Sequence, residues 1–296
     1  MDSQKTYPQA FSFEFFPPKT AEGSLNLCQV GKEFAALNPC FFSVTFGAGG
    51  STRERTLSTV ADIKKTTAID VAPHLSCIGS TRDKLREILN IYVSQNIRHL
   101  VALRGDMPSG MHETGEFHYA NELVEFIRTE TGDHFFIEVA AYPEFHPQAR
   151  SAQDDLRNFK RKVEAGADGA LTQYFYNADA YFRFVDDCEK LGLDIPIVPG
   201  IMPISNYVQL ARFSDACGTE IPRWIRRRLE GYGDDLSAIR AFGEEVVTEL
   251  CHRLLDGGAP GLHFYTMNRT EPTLAIWHAL GCISQKNGRR LLDRDH

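Results

Sequence analysis

Apolar residues recur along this chain in two periods that take turns. Eight short runs are apolar throughout or alternate every second residue, as strands do: Phe11–Phe16, Phe41–Phe46, Val71–Cys77, His99–Asp106, Phe135–Tyr142, Gly169–Tyr176, Ile195–Met202 and Gly261–Asn268. Between most of them lie stretches such as Ser80–Asn96 and Gln148–Ala165. These carry Leu, Ile, Val and Phe at three- and four-residue spacing with charges opposite, the pattern of helices packed by one face. Ser80-Thr81-Arg82-Asp83 and Ser205-Asn206 supply helix starts. Strand–helix alternation predicts parallel strands, and eight of them predict an α/β fold, a closed (β/α)8 TIM barrel forming one domain over residues 1–296. The span after the seventh run holds Ser205–Ala216, Pro222–Leu229 and Ser237–Leu255, room for an extra helix or two before the eighth strand.

Composition narrows the function classes. The chain is 43% apolar and 24% charged, as soluble globular proteins are, and its formal charge of −7 disfavours wholesale nucleic-acid binding. Seven scattered cysteines with no C-x-x-C pair argue for a reducing compartment and against a disulfide framework or a zinc site. The first residues are polar and no run approaches the ~18 apolar residues of a membrane span, so a cytoplasmic protein is expected. No G-x-G-x-x-G, G-x-x-x-x-G-K-[ST] or G-x-S-x-G occurs, and His74, Glu144 and His146 have no recognisable metal spacing.

In a barrel, chemistry collects at the carboxyl ends of the strands. Those ends carry Glu14, Thr45, His74, Arg104 with Asp106, Tyr142, Gln173, and Tyr265 with Arg269, while the seventh offers Pro199-Gly200. In the first run, Phe11, Phe13 and Phe15 share one face and Ser12 and Glu14 the other. Four aromatics around the Glu14 carboxyl predict a raised pKa, which suits a general acid; the alternative is a strand glutamate that meets a basic partner. Arg104-Gly105-Asp106 combines a bidentate cation, a close-approach glycine and an acceptor. Asp155, Asn158 and Lys162 lie on one helix face with Arg161 adjacent, suited to sugar hydroxyls and phosphate, although a solvated charged face has the same pattern. A lone inward histidine such as His74 is more often a core residue than a ligand; His146, on a loop, is the better site candidate. Glu138 points inward with no partner identified.

Taken in order, the motifs FSFEFFPPKT, FFSVTFGAGG, APHLSCIG, RHLVALRGDMP, AAYPEFHPQARSAQDDLRNFKRKVEAGAD, LTQYFYNADAYFRF, VPGIMPISNYVQLARF and HFYTMNR cover almost the whole chain. They strongly resemble the methylenetetrahydrofolate reductase family, in its single-domain bacterial type. The resemblance implies a flavin-dependent barrel that reduces 5,10-methylenetetrahydrofolate to 5-methyltetrahydrofolate with NADH or NADPH, by ping-pong hydride transfer through FAD. It implies Glu14 as general acid and Asp106 as the carboxylate between flavin and pterin. Implied FAD contacts are Thr45, Phe46, Ala48, His74, Arg104 and Gly105; Asp106, Tyr119, Ala120, Tyr142, His146 and Ala149; and Asp155, with Asp154 beside it, Asn158, Arg161 and Lys162. Implied substrate contacts are Glu14, Thr45, Asp106, Gln173, Gln209, Phe213 and Arg269. The loop Met107–His118 departs from the family in composition. A homo-oligomer, possibly a tetramer, is also implied, and inhibition by S-adenosylmethionine is not expected. Another flavin-barrel oxidoreductase, of the proline-dehydrogenase kind, would not need the acid on the first strand; a non-catalytic folate- or flavin-binding regulator would not need the full polar set.

Overall fold

A computed structural model describes residues 1–46, 50–106 and 115–281 of the chain. Strands and helices alternate as the two periods predict: β1 (Ala10–Phe15), α1 (Ala21–Ala35), β2 (Phe41–Val44), α2 (Gly50–Thr67), β3 (Val71–Ser76), α3 (Arg82–Ser94), β4 (His99–Leu103), α4 (Ala120–Thr131), β5 (Phe136–Ala141), α5 (Ala152–Glu164), β6 (Gly169–Thr172) and α6 (Ala178–Lys190). Then come β7 (Ile197–Val198), β8 (Gly200–Ile201), α7 (Tyr207–Cys217), α8 (Arg223–Tyr232), α9 (Leu236–Asp256), β9 (Gly261–Tyr265) and α10 (Thr273–Ala279). Three helices occupy the span where a barrel unit needs one. Side-chain caps start the helices: Thr81 accepts from Lys84 N, Ser151 from Asp154 N and Asn206 from Gln209 N. The cap of α3 is thus Thr81, one residue beyond the first candidate.

All pairings are parallel, in the order β7-β6-β5-β4-β3-β2-β1-β9-β8. The ninth strand is an interruption rather than an addition. Pro199 splits the seventh run into β7, which pairs with β6, and β8, which pairs with β9. Proline has no N–H for a ladder, but its carbonyl accepts from His263 N at 3.0 Å, and Gly200 N turns to Thr172 Oγ1 at 2.9 Å. The chain therefore pivots from one neighbour to the other and closes eight strand positions into a barrel. A Cβ at Gly200 would lie 2.1 Å from the Thr172 carbonyl oxygen and 2.8 Å from the Tyr265 hydroxyl, so only glycine fits the pivot.

Alternation divides the side chains between two cores. Outward residues pack beneath the helices: Phe13 stacks on Phe34 at 4.5 Å and on Phe264 at 5.5 Å, and Phe15 meets Phe42 at 5.2 Å. Inward, Phe41, Ala72, Val101, Leu171 and Val198 form a small apolar belt across the barrel. His99 and Glu138 are buried two residues earlier on their strands than the site-facing Val101 and Ala140. His99 Nε2 faces Glu138 Oε2 at 3.5 Å, and Phe41 packs on the imidazole at 4.1 Å. Glu138, which the sequence leaves without a partner, thus faces a histidine. At the same end the buried Gln4 side chain donates to the Ile195 carbonyl and accepts from Ile197 N. Among the described residues no helix is long and apolar enough to cross a membrane.

Gly200→Ala is expected to lower the free energy of unfolding by about 1–3 kcal/mol in urea titration, the usual range for overpacking. Gly231→Ala, on an open face of α8 with no atom within 4 Å of the added Cβ, should raise it by up to about 1 kcal/mol. Equal effects at the two positions would contradict the pivot.

Candidate active site

Two confluent cavities open at the carboxyl ends of the strands, where the βα loops gather. One, of about 300 Å³, lies between β4, β5, the first turn of α4 and one face of α5. The other, of about 430 Å³, descends into the barrel mouth. Leu103, Gly105, Asp106, Ala140 and Tyr142 line both, so a ligand in one abuts the other. Gly105 has φ +82, and a Cβ there would lie 1.8 Å from Ser76 Oγ. Ser76 and Ile78 occupy the space a side chain at Gly105 would need, so close packing together with the positive φ requires glycine in the shared wall.

The first cavity is cationic and hydroxyl-binding in character. Asp155, Asn158, Arg161 and Lys162 all line it, as the helical spacing predicts. Asp155 also accepts from His146 N at 2.9 Å, whereas Asp154 is paired with Arg157 on the outer face, so Asp155 is the acid available to a ligand. Lys162 donates to the Ala140 carbonyl, and burial lowers its pKa from 10.5 to about 8 against the opposing pull of Asp155. Arg104 bonds Gln148 Oε1 at 2.8 Å and the Gly105 carbonyl at 3.1 Å, leaving its guanidinium on the cavity wall. Tyr119, Ala120, His146 and Ala149 complete this wall. Burial lowers the His146 pKa and raises that of Tyr142 to about 12; the two rings meet edge-on at 4.6 Å. Cations for a diphosphate, an acid and amide for a ribose, and a wall shared with a second chamber fit an elongated dinucleotide.

Glu14, Thr45, Phe46, His74, Gln173 and Phe213 line the second cavity. Sequence alternation places Glu14 inward, but its surroundings differ from the aromatic cage expected. Phe13 and Phe15 point outward into the helix layer, so they do not enclose the carboxyl. Two imidazoles do. Glu14 Oε2 lies 3.2 Å from His74 Nε2 and 3.5 Å from His263 Nε2. Burial alone would raise the Glu14 pKa; His74 and His263 overcome that and hold it near 2. His74 has the largest lowering influence, with His263 adding to it, although neither Nε2 meets the alignment of a regular hydrogen bond among the described residues. The expectation of a raised pKa is therefore corrected: in the free protein Glu14 is a carboxylate. His74, which its pattern alone favours as a core residue and the resemblance implies as an FAD contact, lines this cavity.

Other candidates fall elsewhere. Gln209 is exposed on α7, and Arg269 lines a third cavity with Asn26, Arg240 and Glu244. Ala48 and residues 107–114 lie outside the described residues. Sequence reasoning passed over His263, although alternation on the last strand puts His263 and Tyr265 on the same inward face. It also passed over Tyr174, Met202 and Cys217, which join the wall from loops and from the end of α7.

Comparison with known proteins finds relatives of the whole chain. The pattern of the methylenetetrahydrofolate reductase family matches residues 2–281. A 5,10-methylenetetrahydrofolate reductase of Salmonella typhimurium is 45% identical over 270 residues, covering 91% of this chain and 90% of the relative. The protein named methylenetetrahydrofolate reductase (NADH) 1 of Arabidopsis thaliana is 40% identical, covering 96% of this chain, which spans half of the plant protein's length. Among solved structures, an uncharacterised Clostridium thermocellum protein that binds two copies of 5-methyl-5,6,7,8-tetrahydrofolic acid superposes with a TM-score of 0.65 at 17% identity, covering 96% of each chain; this likeness is one of fold.

Replacing the buried ammonium should stabilise the free chain. Lys162→Met is expected to exceed the wild type at pH 7 by about 1–3 kcal/mol in chemical denaturation, one pKa unit corresponding to about 1.4 kcal/mol. Because the folded pKa lies below the unfolded one, the wild type gains stability as pH rises from about 8 toward 10.5, and the gap should close across that window. A gap independent of pH would contradict burial of the charge.

Proposed function

The chain belongs to the methylenetetrahydrofolate reductase family, and from that premise we propose that it reduces 5,10-methylenetetrahydrofolate to 5-methyltetrahydrofolate with NADH as the electron donor and FAD as resident cofactor. The observation that carries this reading is a carboxyl on the wall of a ligand-sized chamber that opens into a cation-lined cleft.

The residues of the first cavity suit FAD. Arg104, Arg161 and Lys162 would balance the diphosphate, Asp155 and Asn158 would meet the ribose, and Gly105 with Ala140 would leave room for the flat ring beside the second chamber. When bound, the flavin supplies a hydride carrier between nicotinamide and folate. The second chamber, at about 430 Å³, lies in the range of a site for one drug-sized ligand, so donor and folate use it in turn. Phe213, partly exposed at its rim, offers a ring to stack on either, and Gln173 offers an amide to either.

Glu14 supplies the proton that opens the five-membered ring of the folate. Protonation of the leaving amine nitrogen releases it and leaves an iminium at the other, the species that accepts hydride. A carboxylate at Asp106, on the wall common to both chambers, favours that cation electrostatically and opposes negative charge on the neighbouring ring.

Anaerobic stopped-flow separates the two half-reactions. In Glu14→Gln, reduction of the flavin by NADH should stay within about threefold, while its reoxidation by methylenetetrahydrofolate slows by about 10²–10⁴, the range of a general acid. Full folate turnover by this variant would remove Glu14 from the reaction. Asp106→Asn should move the flavin midpoint potential to a more positive value; an unchanged potential would contradict the electrostatic role.

A further inference from the structure

The loop between β5 and α5 has two faces. Toward the first cavity it presents Tyr142, His146, Gln148 and Ala149, and Asp155 on α5 holds it there by accepting from His146 N at 2.9 Å. Glu144, two residues before His146, lines neither the first nor the second cavity. Its Oε2 accepts instead from Glu220 N at 2.8 Å, in the connection between α7 and α8. Phe145, between the two, has φ +150, a backbone that residues with a Cβ rarely adopt and that surrounding contacts must hold. A second contact runs beside the first. Gly218, which ends α7 at φ +73, faces Pro147, and a Cβ there would meet three ring atoms at 3.2–3.4 Å. The seam between loop and connection encloses a void of only about 10 Å³. From this connection the contacts lead back to the second cavity. Thr219 Oγ1 donates to the Tyr174 carbonyl, and the Tyr174 hydroxyl lies 3.1 Å from Ser214 Oγ. Phe213 and Cys217, one helical turn apart on α7, line the chamber with Tyr174. The ionisable groups facing the Glu144 carboxyl are those of Glu220 and Tyr174. Burial raises the pKa of Glu144, and the Glu220 N–H opposes the rise by favouring the charged form.

We propose that Glu144 is a positioning residue that clasps the cofactor loop to the end of α7, so that occupancy of the first cavity sets the Phe213–Cys217 wall of the second. This rests on the reading of the two cavities as cofactor and substrate sites. A ligand that orders His146 orders the backbone two residues away. The charge-assisted bond to Glu220 N and the fit of Pro147 on Gly218 then pass that order to α7, because a seam with almost no void transmits displacement rather than absorbing it. A Phe213 ring already fixed costs a substrate less ordering entropy when it stacks there. The effect falls on binding rather than on the chemical step, since Glu144 touches no residue assigned to proton or hydride transfer. By linkage, a substrate seated against Phe213 tightens the cofactor by the same factor.

Amide hydrogen exchange tests the clasp without turnover. Residues 218–221 line neither the first nor the second cavity. In the wild type, saturating FAD should nevertheless slow their exchange on the order of 10-fold, within the usual range of coupling between sites. Glu144→Ala should abolish that slowing, and Glu144→Gln, whose amide oxygen still accepts from Glu220 N, should keep it. In the FAD-loaded enzyme, Glu144→Ala should raise KM for NADH and for methylenetetrahydrofolate by roughly 3-fold to 10-fold with kcat within about twofold, the split that lost uniform binding gives. Glu144→Gln should return both KM values close to the wild type, and Glu144→Ala should add little in a Phe213→Ala background. Exchange at residues 218–221 that FAD leaves unchanged in the wild type, or KM effects of Glu144→Ala and Phe213→Ala that simply multiply, would overturn the assignment. Should Glu144→Ala fail to fold, Glu144→Leu, which keeps bulk without an acceptor, takes its place in both measurements. Should FAD slow the exchange as expected while methylenetetrahydrofolate fails to reoxidise the flavin, the reaction proposed above is refuted and the clasp stands.

Discussion

A carboxylate that faces the inside of a closed barrel has few ways to remain charged, because water is scarce and every second residue of eight strands competes for the same space. Glu14 meets that constraint through His74 and His263, which approach the same oxygen from the third and the last strand. The contact ties the barrel seam to the ligand chamber: β1 pairs with β9, and the residues facing inward on both strands are the ones that hold the acid. The pivot at Pro199-Gly200 completes the arrangement. It closes the barrel beside β9, and its bare glycine leaves room for the Tyr265 hydroxyl to reach Thr172.

Among the described residues, the barrel interior thus holds two inward glutamates with different surroundings. Glu138 and His99 are sealed below the belt of Phe41, Ala72, Val101, Leu171 and Val198. Glu14 lies on the open side, with 17% of its side chain exposed on the chamber wall. Similar acid–imidazole contacts therefore have different access to ligand, and access rather than pairing separates a site from a structural interior. In the neighbouring cleft the cost of desolvating Lys162 is offset only in part by Asp155 and the Ala140 carbonyl, an arrangement that an anionic ligand would complete.

Much of this was legible in the chain. Period-two runs located the eight strand positions, and the helical spacing of Asp155, Asn158 and Lys162 put them on one cavity wall. Alternation also sent Ser12 and Glu14 inward. What it could not convey was which residues would surround the carboxyl. Phe13 and Phe15 neighbour Glu14 in sequence but point to the opposite side of the sheet, whereas His263, 249 positions away, is brought against it by the pairing of first and last strands. Closure is a long-range event, so the partner of an inward residue is set by register rather than by local sequence. Proline in the seventh run announced a ladder defect, yet its use as a pivot between two neighbours depends on the same closure. Gln209 came from family likeness alone and Arg269 from its place after the last strand as well, and the fold carries them to the outer surface of α7 and to a side cavity.

The account turns on Glu14 being ionised by its imidazole neighbours rather than kept neutral by apolar ones. Carbon-13 NMR of the glutamate carboxyls in the free protein, with the Glu14 resonance identified by its absence in Glu14→Gln, tests this directly. The structure predicts a carboxylate shift throughout the neutral range, with protonation only toward about pH 2. A Glu14 resonance that titrates above about pH 6, as a carboxyl in a hydrophobic pocket does, would contradict it.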